Sequence, residues 1–197
     1  MRRTTDSISA REKYDAERKK HMDYVQLIMR WKNDERAPKA ANIPDGVTID
    51  TFAQRESALD DWLDIIQYGL TDGRLDADCY KRCMTDLENY DENKCFFIVK
   101  DGVAAATITV ICDGKTKEGY IHMVACRPEF RGQGFGTLLN DIAVFTLKKE
   151  GMQTAYLTTD DFRIPAIKSY LRCGFVPDLS TEDFKERWAK IMEEIKK

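Results

Sequence analysis

The apolar patterning of this 197-residue chain predicts a mixed α/β fold, a mostly antiparallel sheet flanked by helices, with an extra helix at each end. Three observations point there. Two β-rich runs, NKCFFIVK and VAAATITVIC, are joined by Asp101-Gly102, a strong hairpin signal. A third run, GYIHMVAC, follows the turn at Asp113-Gly114 and completes an antiparallel meander. Stretches with helical periodicity and further short strands lie on either side of it.

In chain order, residues 9–33 are highly charged, but Tyr14, Met22, Val25, Ile28, Met29 and Trp31 cluster at helical spacing and predict an N-terminal helix. NDERAPKAANIPDG, with two prolines and few apolar residues, reads as a linker to a first strand near Val47 to Phe52. From Glu56 to Leu70, the residues Leu59, Trp62, Leu63, Ile65, Ile66 and Leu70 fit one helix face, which Gly69 and the TDGR turn end. A second helix is expected over Asp76 to Tyr90, then the meander. TLLNDIAVFTLKKEG places Leu139, Ile142, Ala143 and Thr146 on one helix face, and its basic end precedes Gly151. AYLTT is a strand. IPAIKSYLRCG has Pro165 near its start and Gly174 past its end, as a short helix does, and GFVP begins a last strand. STEDFKERWAKIMEEIKK has a capping-box-like Ser180 and Asp183, with Phe184, Trp188, Ile191 and Ile195 on one stripe. The expected organisation is a helical extension and linker over 1–45, one main domain over 46–178 and a terminal helix over 179–197.

Apolar residues at 43% and charged residues at 33% describe a chain that folds rather than a disordered one. A net charge of -3 supplies no global attraction to nucleic acid, so no nucleic-acid partner is expected. The basic opening MRRTTDSISAREKYDAERKK has no apolar core of signal-peptide length, and no run approaches the ~18 apolar residues of a membrane span. A cytoplasmic protein with no membrane partner is expected. The six cysteines form no CxxC pair and have no histidine pair beside them, so they read as reduced, buried thiols, and no metal is expected.

The loop after Cys126 carries Gly132, Gly134 and Gly136 directly before a helix. Missing side chains let a ligand approach the backbone, and a helix start offers unpaired N–H groups at the positive end of the dipole. A phosphate suits such a place, with Arg131 adding a charge at its rim, although a plain tight turn has the same composition. A nucleoside-triphosphate loop is excluded because the Gly-Lys-Ser/Thr ending is missing. The GxGxG spacing is not that of dinucleotide folds, and the loop follows an antiparallel meander instead of opening a parallel sheet.

RPEFRGQGFG resembles the pyrophosphate loop of the GNAT (GCN5-related N-acetyltransferase) superfamily, whose motif is Arg or Gln, two residues, Gly, one residue, and Gly or Ala. Here these are Arg131, Gly134 and Gly136. The element order from 47 to 177 resembles the GNAT fold, and TTDDFRIPAIKSYLRCGF resembles its fourth-helix motif with Tyr170 and Gly174-Phe175. HMVA, TDDFR and the added N-terminal helix are also similar to uncharacterised GNAT members related to mycothiol synthase. The resemblance implies acetyl-CoA as co-substrate. Val124, Ala125 and Cys126 would line the pantetheine arm on a strand splayed from its neighbour. Arg131, Gly132, Gln133, Gly134, Phe135, Gly136 and Thr137 would hold the pyrophosphate. Where the family often has Asn, seven residues before the tyrosine, this chain has Arg163, which could reach a phosphate or an acidic acceptor.

Acetyl transfer from a thioester to an amine needs a neutral nitrogen, stabilisation of the oxyanion and a proton for the departing thiolate. The Tyr170 phenol, with an unperturbed pKa of about 10 against ~8.5 for a thiol, can supply that proton, and in similar GNAT enzymes this tyrosine is the general acid. It could equally be an amphipathic core tyrosine. His122, on the strand feeding the glycine loop, has an unperturbed pKa of about 6.5 and could serve as base, and some GNAT enzymes that acetylate arylalkylamines carry a histidine at the matching place. A lone strand histidine can also be structural, and Glu118, Tyr120 or solvent could take the proton. Cys126 lacks the base and orienting group that an acyl-cysteine route needs, so direct attack by the amine is expected.

The expected acceptor is a small-molecule primary amine, which Asp72, Asp76, Asp78, Asp160 and Asp161 could attract unless they are helix caps and loop charges. Three alternatives stay open: a non-catalytic acyl-CoA sensor, a docking module using Trp31 and Trp188, and a protein N-acetyltransferase. Assembly as a homodimer is open too.

Overall fold

The computed structural model describes residues 25–34, 37 and 40–196. Seven strands form one sheet: β1 Leu27–Lys32, β2 Val47–Thr51, β3 Cys95–Lys100, β4 Val103–Asp113, β5 Glu118–Cys126, β6 Thr154–Thr159 and β7 Val176–Pro177. Their order across the sheet is β2-β3-β4-β5-β6-β1-β7. Every neighbouring pair is antiparallel except β5 with β6. The hairpin at Asp101-Gly102 has both residues at positive φ, 51° and 80°, the twist a two-residue turn between antiparallel strands requires.

Helices cover both faces. On one lie α1 Ala58–Ile66 and α2 Ala77–Tyr80, whose buried Trp62, Ile65, Ile66 and Tyr80 meet Phe97 and Val99 of the sheet. On the other lie α3 Phe135–Lys149, α4 Ile164–Arg172 and α5 Glu182–Lys196. Leu139, Ile142 and Leu147 of α3 and Phe184, Trp188 and Ile191 of α5 enter the same core as Leu27, Met29 and Trp31 of β1. Each fully buried side chain of this size stabilises the fold by roughly 1.5–3 kcal/mol before entropy. The α5 stripe is the predicted one, but its cap is Thr181, whose Oγ1 accepts from Phe184 N at 3.1 Å, one residue after the predicted Ser180.

Two sequence-based expectations fail. The N-terminal helix predicted over 9–33 is a strand at Leu27–Lys32, paired with β6 and β7; residues 9–24 lie outside the described residues. Leu27, Met29 and Trp31 are buried and alternate with half-buried or exposed Ile28, Arg30 and Lys32, a period of two set by the sheet. Part of the stretch assigned to an extension before residue 46 therefore belongs to the sheet. The second helix, predicted over 76–90, holds one α-turn and then widens into a π-turn at Lys81–Thr85, with Asp86 N bonded to Lys81 O. The Cys83 carbonyl inside it is taken by a side chain of β5, described below.

Candidate active site

The site begins where β5 parts from β6. Their parallel register runs from Glu118↔Thr154 to Ile121↔Leu157 and stops. On the other side of β5, Thr109 pairs with His122 but Thr107 pairs with Ala125, so Met123 and Val124 together oppose Ile108. This bulge puts Met123 at φ 53° and bends β5 away from β6. Val124, Ala125 and Cys126 thus have no strand partner on the β6 side, and they line a cavity of about 590 Å³, within the range of small-ligand pockets.

Its other walls come from the glycine loop and from α4. Gly132 and Gly134 sit at φ 78° and 83°, where a side chain is strained, and a Cβ built on either meets nothing within 4 Å. They form an open cradle ending at the first turn of α3, whose leading N–H groups belong to Phe135, Gly136 and Thr137. Arg131, Gly132, Gly134, Phe135, Gly136 and Thr137 all line the cavity. Gln133 does not: its side chain accepts from Lys100 Nζ at 3.0 Å and donates to Glu129 O. This geometry fits a pyrophosphate met by backbone amides, with a pantetheine arm along β5.

Tyr170 on α4 lines the same cavity with its ring edge-on to Phe175, and among the described residues its hydroxyl has no hydrogen-bond partner. Burial pushes its phenol up to about 12, against a small downward pull from the Arg163 charge. Arg163 is also at the cavity, but its guanidinium is engaged: Nε donates to Asp160 Oδ2 at 2.7 Å and Nη2 to Gly69 O at 2.8 Å. Arg131 donates from Nε to Cys126 O and from Nη2 to Tyr68 O.

His122 is not among the residues lining the cavity. Its Nε2 lies 2.9 Å from Cys83 O and its Nδ1 3.0 Å from the Tyr120 hydroxyl. A carbonyl only accepts, so Nε2 carries the proton and the Nδ1 lone pair accepts from Tyr120. Burial lowers the imidazole pKa, partly offset by the Cys83 carbonyl, so the ring is neutral near pH 7. Tyr120 stacks on Tyr156 at 4.7 Å, continuing this polar-aromatic row across the sheet.

Some expected groups serve the fold. Asp76 caps α2 by accepting from Cys79 N, Asp160 pairs with Arg163, and Asp161 is held by Arg187 at 2.6 Å. Trp31 and Trp188 are 5% and 1% exposed, which removes both from any docking surface. Burial pushes the Cys126 thiol up to about 11, the wrong direction for a nucleophile. Sequence reasoning missed the Tyr68–Leu70 stretch, Phe162 and the buried Asn140–Ser169 hydrogen bond of 2.9 Å between α3 and α4, all of which border the cavity. No local signal marks them, because they arrive from distant segments. Among the described residues no His, Cys, Asp and Glu group is arranged to hold a metal, and no helix is long and apolar enough to cross a membrane.

Known proteins share this architecture. A GCN5-related N-acetyltransferase from Sphaerobacter thermophilus superposes with a TM-score of 0.63 at 18% identity, over 87% of this chain and 55% of that one. The NatC complex bound to Gag peptide and CoA gives 0.56 at 18%, over 66% and 84%. In sequence, N-alpha-acetyltransferase 30 of Schizosaccharomyces pombe is 39% identical over 62 residues, 32% of this chain and 41% of that relative, so the chain spans less than half of its length. The Acetyltransferase (GNAT) family model matches residues 58–175, which run from α1 through the bulge, the glycine loop and Tyr170 to Phe175. With every wall of the cavity inside that stretch, the chain belongs to the GNAT acetyltransferase family.

Proposed function

We propose that this protein transfers an acetyl group from acetyl-CoA to the primary amine of a small molecule, by direct attack with both substrates bound. The observation that carries the reading is Tyr170, a buried phenol with no hydrogen-bond partner among the described residues, in a cavity whose opposite wall is the glycine cradle. A purely structural tyrosine would find a partner for its hydroxyl; a proton donor keeps it for the substrate. A non-catalytic sensor would have no use for it.

Acetyl-CoA supplies the activated acyl group as a thioester. Main-chain groups of Val124, Ala125 and Cys126 hold the pantetheine arm, and the amides from Gly132 to Thr137 hold the pyrophosphate, with Arg131 at the rim. Tyr170 gives its proton to the departing sulfur. Tyr120 does not line the cavity, so the proton leaving the amine reaches its hydroxyl by way of solvent as that group gives its own to His122 Nδ1. The Cys83 carbonyl fixes the tautomer that makes this transfer open. His122 thus acts through Tyr120.

A small acceptor is supported by the Tyr68–Leu70 stretch, which lines the cavity and is tied to it by Arg131 and Arg163. A second reading, a peptide N-terminus as acceptor, is favoured by the likeness to N-alpha-acetyltransferase 30. Calorimetric titration with acetyl-CoA, beside Gly134→Glu, tests the cofactor site: tight binding lost in the variant supports it, and no binding by the folded protein overturns it. Release of CoA is then followed with amines on one plate and short peptides with free N-termini on another, with Tyr170→Phe as control. Turnover confined to peptides would replace the small acceptor by a protein one.

A further inference from the structure

Two arginines from opposite walls of the cavity end on the same short stretch of backbone. Arg131, on the glycine loop, reaches Tyr68 O, and Arg163, at the start of α4, reaches Gly69 O, each at 2.8 Å. Tyr68, Gly69 and Leu70 border the cavity between them. The stretch is tightly closed: Leu70 N bonds Ile66 O, Tyr68 bridges to Asp72, and Gly69 takes φ 121°. Beyond it, Arg74 ties the loop back to Asp60 and Asp64 of α1. The carbonyls of Tyr68 and Gly69 lie outside the named helices and strands, and each accepts a hydrogen bond from one of the two arginines.

Arg163 is poorly placed to serve a phosphate. Its charge is matched by Asp160 at 2.7 Å, its Cζ lies 5.4 Å from the centre of the Phe162 ring, and Asp160 is anchored in turn by Gln26 Nε2 at 3.1 Å. The connection therefore runs from the start of β1 through Asp160 and Arg163 to Gly69. We propose that Arg163 is a positioning residue: it holds Tyr68–Leu70 as a fixed strap along one wall of the cavity. A guanidinium is needed because one planar group must donate to a carboxylate and to a carbonyl on different segments. An asparagine is too short to span them.

The proposal rests on the acetyl-CoA reading only for its binding arm. Hydrogen–deuterium exchange read on peptides covering residues 67–75, for the wild type, Arg163→Ala and Arg163→Lys, tests the strap directly, and acetyl-CoA titration tests the alternative role. Loss of a charge-assisted bond predicts about tenfold faster exchange over 67–75 in Arg163→Ala. The lysine variant, which keeps one donor, recovers part of the protection, α3 exchanges as in the wild type, and acetyl-CoA affinity stays within about twofold in both variants. Wild-type exchange over 67–75 overturns the proposal, as does an even rise across the whole chain. Should the alanine variant not fold, the lysine variant decides by the same comparison. Acetyl-CoA affinity weakened tenfold or more with the strap unchanged would make Arg163 a phosphate ligand. If the wild type binds no acetyl-CoA, the proposed function falls while the exchange comparison still judges the strap.

Discussion

Replacing Tyr170 by phenylalanine separates catalysis from stability more cleanly than any other change in this protein. The ring is 6% exposed and packs on Phe175, and phenylalanine keeps those contacts. Among the described residues the hydroxyl has no partner to lose, whereas leaving a buried hydroxyl unpaired costs roughly 1–3 kcal/mol in proteins. Part of that cost is relieved by contact with the cavity, so the variant should be unchanged or stabilised by up to about 1 kcal/mol. For a chain of 197 residues that is a Tm equal to the wild type or higher by ~2–4 °C. CoA release should nonetheless fall by roughly 10²–10⁴ when the proton donor is removed. The sign of the pH effect follows from the shift. The phenol is raised from its unfolded value near 10 to about 12, so its contribution to stability is full below pH ~10 and is lost as pH climbs towards 12. No alkaline limb from Tyr170 should therefore appear in the rate profile below pH ~10. Thermal melting and initial rates of CoA release check both halves. A Tm lowered by more than about 4 °C would show that the hydroxyl has a structural partner, and a rate within about threefold of wild type would remove Tyr170 from the chemistry.

His122 has a lowered pKa, so the unfolded chain binds its proton first, and stability should decline as pH falls below about 6.5; urea denaturation at two pH values, with His122→Gln flattening the difference, checks this. The acidic limb of the rate profile should also move or vanish in Tyr120→Phe, which breaks the path from the amine to the imidazole. Gly119→Ala should destabilise by about 1–3 kcal/mol in the same denaturation assay, because its Cβ would collide with Leu147 Cδ2, on a side chain with no exposed surface to yield into. Arg187→Ala removes a two-point contact with Asp161, at 3.0 and 2.6 Å, and a bond to Val25 O, and should cost about 1–3 kcal/mol by denaturant unfolding while loosening the loop before Arg163.

Local chemistry by itself determined the meander, the glycine cradle and the amphipathic helices α1, α3, α4 and α5. Asp101-Gly102 demands left-handed backbone wherever it occurs, and Gly132 and Gly134 tolerate positive φ that other residues resist, so both features are legible without knowing what surrounds them. Val124, Ala125, Cys126 and Tyr170 were reachable because the motifs flanking them are contiguous. Tertiary structure alone decided the rest. Leu27–Lys32 carries apolar residues compatible with either a helix or a strand, and only the open edge of β6 selects the period of two. Met123 has no sequence mark of a bulge; the mismatch of β4 and β5 forces it, and with it the parting of β5 from β6. The bond from His122 to the Cys83 carbonyl, which sets its tautomer, and the two arginines on the Tyr68–Leu70 strap each join segments dozens of residues apart. Spacing along a chain encodes hydrogen bonds within a turn or a helix, but not those made by a side chain with a distant carbonyl, which exist only once the sheet has brought the two together.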